Sequence, residues 1–116
     1  MGLFLSNMVL NGTQPGGTPN PGTEASLRRY IDSLERGAPN YDDMTPAMAQ
    51  AVRSESALIL GAIKKFGPLK SITFTGKAAM NEDVFDVVFE HAHAQWTVGP
   101  LTADGKVQSR SFHPLP

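Results

Sequence analysis

The chain has 116 residues, 41% hydrophobic and 18% charged, enough for one domain with a single small core. Ten basic residues against eleven acidic ones exclude the basic face that broad nucleic-acid binding requires. No apolar run approaches the ~20 residues of a bilayer-spanning helix, and the absence of cysteine excludes disulfides, thiolate metal sites and cysteine nucleophiles.

Residues 1–22 read as an arm. Leu3, Phe4, Leu5, Met8, Val9 and Leu10 form a short apolar stretch, and residues 11–22 hold three prolines, four glycines and no charge, the composition of a linker. The apolar piece lacks the basic flank and the small-residue cleavage site of a signal peptide, so it reads as the remnant of a longer precursor or as a boundary inside a larger protein. Residues 23–116 read as one α+β domain.

Thr23 is the expected N-cap of a first helix over 24–36, with Leu27, Tyr30, Ile31 and Leu34 on one face and Gly37 as its left-handed stop. Thr45 followed by Pro46 starts a second helix over 46–66, closed by Gly67-Pro68. Beyond Pro68 the period falls from 3.6 to 2. Ile72 and Phe74 share one face of a first strand, and residues 76–83 read as a loop. Phe85, Val87 and Phe89 share a face of a second strand over 84–91, and Ala94, Trp96 and Val98 share a face of a third. Asp104-Gly105 marks a turn into a last strand over 107–112, where the opposite parity of Val107 and Phe112 implies a bulge or fraying. The expected architecture is therefore two N-terminal helices packed on a curved four-stranded antiparallel meander, with the long second helix as the main partner of the apolar sheet face.

Several segments carry a resemblance to a known family. They are Tyr41 to Pro46, Gly67 to Phe74, Asp83 to His91 and Trp96 to Val107. Together they resemble a small bacterial domain of the cystatin-like, nuclear-transport-factor-2-like class, similar to accessory domains appended to exported serine hydrolases such as beta-lactamase-like enzymes, peptidases or esterases. The resemblance covers about Thr23 to Pro114 and implies a fold far more than a function. It implies a hydrolase as partner or fused neighbour, in a cytoplasmic or exported bacterial setting. His91-Ala92-His93 departs from the pattern, in which the hairpin tip carries a glycine.

Motifs for chemistry are sparse. No phosphate loop, nucleophile elbow or Ser-x-x-Lys motif is present, so no catalytic nucleophile is assigned. His91 and His93, two apart on a strand, would face one side as a metal-binding pair could, but a zinc site wants a third protein ligand and no metal or other cofactor is expected. Tyr41, Asp42, Asp43 and Trp96 are the candidate ligand-binding residues. A carboxylate base paired with a phenol donor, drawn from Tyr30, Tyr41, Asp42, Asp43 and Asp86, would suit an isomerase or dehydratase pocket between helices and sheet. Against this, Asp42 and Asp43 suit the positive start of the second helix, and a lone Trp on an alternating strand suits a core. Val84 and Val88 are expected on the outer sheet face, where with the arm they imply a homodimer. The leading expectation is a non-catalytic accessory or interaction domain that self-associates. The alternatives are a small pocket enzyme and a small-ligand-binding module.

Overall fold

In the computed structural model, which describes residues 17–115, the described residues form two helices followed by a four-stranded antiparallel sheet of order β1-β2-β3-β4. Helix α1 spans Thr23–Glu35 and α2 spans Pro46–Phe66. The strands are β1 (Leu69–Ala78), β2 (Glu82–Phe89), β3 (His93–Val98) and β4 (Arg110–Leu115). The apolar arm residues 3–10 lie outside the described residues.

Helix α1 ends as its sequence requires. Gly37 has a φ of 81°, its N–H donates to the Leu34 carbonyl at 2.9 Å, and the Ala38 N–H donates to the Ser33 carbonyl at 3.0 Å. That pair of bonds satisfies the last carbonyls of the helix. Its start corrects the expectation. The N-cap is Gly22, at a φ of 82°, and Thr23 is already helical. The Thr23 hydroxyl is drawn away from capping because it donates to the Asp83 carboxylate at 2.6 Å.

Thr45 does cap α2, its hydroxyl accepting from the Met48 N–H at 3.3 Å, and Gly67 stops that helix with φ 79° and ψ −171°. The division of labour between the helices differs from expectation. The whole stripe Leu27, Tyr30, Ile31 and Leu34 of the short α1 is buried, whereas α2 buries only Ala49, Val52 and Ile63. Ile59, Leu60 and Phe66 of α2 are only partly buried against the core. The long helix thus stands off the sheet along part of its length, and space remains beneath it.

Strand β1 runs on to Ala78 and β2 starts at Glu82, so the two strands together consume most of the expected loop at 76–83. Gly76, at φ 155°, serves a bulge opposite Val84, and the hairpin is turned by Met80 and Asn81 at φ near 60°. Asn tolerates that left-handed conformation through its short polar side chain, and the fully extended hairpin then places Lys77 opposite Asp83. Phe85, Val87, Phe89, Ala94, Trp96 and Val98 are all buried on the helix-facing side. Phe66, Phe89, Trp96 and Phe112 form a chain of rings with centroids 4.5–6.2 Å apart.

The last strand begins three residues later than expected. Val107 is not in the sheet but forms an isolated parallel bridge with Met44. The Val107 N–H donates to the Asp43 carbonyl at 2.7 Å, and its carbonyl accepts from the Thr45 N–H at 2.9 Å. Backbone groups left over between the helices thereby capture Val107, which is 1% exposed, and the strand restarts at Arg110 in the parity of Phe112. Val84 pairs with Thr97 on the outer sheet face, as expected, yet is 1% exposed; the same face carries Val88, half-buried, with Thr73, Asp86, His93 and Gln95.

Candidate functional site

The space under α2 is a cleft of about 390 Å³ between the two helices and the β3–β4 edge of the sheet. Its helical walls include Tyr30 and Leu34 from α1 and Met48, Val52, Ile59 and Ile63 from α2. The sheet supplies Trp96, Arg110 and Phe112, and Glu55 and Ser111 stand at more exposed positions of the lining. An apolar cleft of this size with a few polar groups has the character of a small-molecule site.

Arg110 is the unusual member. It is the first residue of β4, opposite Val98, and its side chain takes the helix-facing side of the sheet. Its guanidinium carbon lies 3.4 Å from the centroid of the Tyr30 ring, a cation–π contact in a largely desolvated setting. Burial lowers the pKa of Arg110 from its ordinary value, opposed by Tyr30 and by the Asp43 charge. Burial likewise raises the Tyr30 phenol, with the Arg110 charge pulling the other way.

Of the four candidate ligand-binding residues, Trp96 alone lines this cleft, joined there by Tyr30 from the set of possible acid-base groups. Tyr41, Asp42 and Asp43 form a single 3-10 turn before α2. Tyr41 is covered by the Arg53 guanidinium at 4.3 Å. Asp42 is exposed and its carbonyl accepts from Lys106 Nζ. The Asp43 carboxylate accepts from Arg29 Nε at 3.1 Å and Asn40 Nδ2 at 2.9 Å. The turn is therefore built into the joint between α1, α2 and Val107, apart from Trp96.

The two histidines are not brought together on one strand. His91 lies in the β2–β3 turn, its ring 3.9 Å from the Glu90 carboxylate, while His93 opens β3 and hydrogen-bonds the Asp86 carboxylate. Among the described residues no group of three or more metal-ligating side chains is present, and no helix is long and apolar enough to cross a membrane.

Sequence reasoning missed Tyr30 and Arg110 as partners. The signal for Arg110 was its two-residue spacing from Phe112, which puts a cation on the apolar side of a strand. It was obscured by assigning the strand from Val107. Tyr30 is legible in the sequence as a stripe member and as a possible phenol donor, but nothing in its spacing pairs it with Arg110.

Comparison with known proteins finds no family model, no curated protein and no solved structure that matches the chain.

Proposed function

We propose that the chain is a non-catalytic binding module of cystatin-like, nuclear-transport-factor-2-like architecture, holding a small apolar ligand between its helices and its sheet. The observation that carries this reading is the cleft of about 390 Å³ under α2, walled by Val52, Ile59, Ile63, Trp96 and Phe112. Closing it would require only that α2 settle on the sheet, and filling it removes apolar wall from water at about 25 cal/mol per Å². A binding role is favoured over the isomerase or dehydratase alternative because the Asp43 carboxylate is engaged by Arg29 and Asn40 and neither Asp42 nor Asp43 lines the cleft. Glu55, the carboxylate in the lining, is exposed. An accessory role beside a hydrolase is compatible with such a module and is part of the proposal.

Trp96, the single tryptophan, gives a direct readout. Titration with 1-decanol, a neutral apolar probe, is expected to change Trp96 emission saturably, and Ala62→Phe in the lining is expected to abolish the change. No saturable change in the folded wild-type chain would overturn the reading.

Pairing of two copies is a second proposal, favoured by the half-buried Val88 on the outer sheet face and by the apolar sequence of residues 3–10. Sedimentation of the full chain at tens of micromolar is expected to give a dimer, and a monomer would overturn it.

A further inference from the structure

The class of ligand can be narrowed, on the premise that the cleft binds a small molecule, from the state of one nitrogen. Nη2 of Arg110 is shielded from solvent and, among the described residues, has no hydrogen-bond partner. It is the one buried side-chain nitrogen or oxygen in that condition among those residues. The ion pairs of the described residues do not include Arg110, and Asp43, whose charge acts on it, is engaged by Arg29 and Asn40. A buried N–H of a charged group left unpaired is costly, and folded proteins rarely tolerate one. The Tyr30 ring lies 3.4 Å from the guanidinium carbon and its hydroxyl also acts on the group, yet Nη2 remains without a partner. The group thus carries one nitrogen that lacks an acceptor, beside a cleft with apolar walls.

We infer that the cleft takes a monoanionic carboxylate carrying an apolar chain or ring, with the carboxylate hydrogen-bonded to Arg110. Charge chooses the head group. One guanidinium neutralises one negative charge, and the lining adds Glu55, whose carboxylate disfavours a second. A phosphate monoester, close to −2 at neutral pH, would retain uncompensated charge in a desolvated site, whereas a carboxylate matches the planar fork of arginine. Volume limits the tail. At ~30 Å³ per water in the liquid, the cleft corresponds to about a dozen water-sized units, so the ligand has on the order of a dozen heavy atoms.

Decanoate and 1-decanol have nearly the same tail and differ in the head, and both can be titrated against Trp96 emission or by calorimetry. The full wild-type chain is expected to bind decanoate at least tenfold more tightly than decanol, a difference of about 1.4 kcal/mol. Arg110→Met is expected to remove that preference while leaving decanol affinity within about threefold. Arg110→Lys, which keeps the charge but loses the fork, is expected to lie between them. Equal affinity of the wild type for decanoate and decanol would overturn the carboxylate assignment and leave the apolar pocket standing. Binding of neither would overturn the pocket itself. Should Arg110→Met fail to fold, the decanoate-to-decanol ratio in wild type and in Arg110→Lys still decides. Tighter binding of decyl phosphate than of decanoate would overturn the choice of head group.

Discussion

Asp83 is a fully buried carboxylate with three donors on it: the Asn20 N–H at 2.7 Å, the Thr23 hydroxyl at 2.6 Å and Lys77 Nζ at 2.5 Å. Two of them belong to the start of α1, where the exposed N–H ends of the helix also favour negative charge. Replacing the carboxylate by a neutral group strips these bonds at once. Asp83→Ala is expected to cost on the order of 3 kcal/mol, below the full cost of breaking a wholly buried pair because the Lys77 side chain keeps 21% exposure. Urea denaturation checks this, and a midpoint unchanged from wild type would refute it. Tyr30 gives a pH prediction. Its folded pKa is raised above the ordinary 10.0 by burial, so the stability it lends is complete below about pH 10 and is lost as pH rises through the folded value. Wild type is therefore expected to weaken more steeply than Tyr30→Phe as pH rises above about 10, in paired urea titrations. Neither role was visible in the sequence. Asp83 sat in an expected loop, and its burial comes from the N-terminal turn of α1 folding over β2, a contact that spacing along one strand does not encode.

Helix ends behaved differently from strand ends when read from sequence, and the reason is local. Thr45-Pro46 and Gly67-Pro68 fix the backbone within the same few residues that form the cap, so both bounds of α2 were legible. The hairpin at 79–81 is turned without glycine, and the start of β4 depends on where Val107 finds its partners, which is settled by Met44 and Asp43 far away in the chain. The glycine within α2 and the one that stops it should separate cleanly. Gly67 has a backbone conformation nearly confined to glycine, and a Cβ there would stand 3.0 Å from the His91 ring. Gly67→Ala is expected to lose about 1–3 kcal/mol. Gly61 is helical and exposed, with nothing within 4 Å of an added Cβ, so Gly61→Ala is expected to gain about 0.4–1 kcal/mol. Thermal midpoints moving in opposite directions would bear this out, and movement in one direction would not.

At the scale of the molecule, two closures tie the early part of the chain to the late part. Asn20 meets Asp83 across 63 residues, and Met44 meets Val107 across the same span. Bringing together the ends of a loop that long costs roughly (3/2)RT ln n, about 4 kcal/mol, before any contact repays it. The β1–β2 and β2–β3 hairpins face a much smaller entropic cost, so they are expected to assemble ahead of both closures in a refolding experiment. The cleft has walls from both parts of the chain, Tyr30 and Val52 on one side and Trp96 and Arg110 on the other. It therefore exists as a cleft only after the late steps. Sheet and helix signals in the far-ultraviolet are expected to recover before the ability to take up decanol, and simultaneous recovery would argue against this order. A ligand added to the refolding chain would then find nothing to bind during nucleation. It would act afterwards, slowing the first step of unfolding and leaving the rate of folding almost untouched.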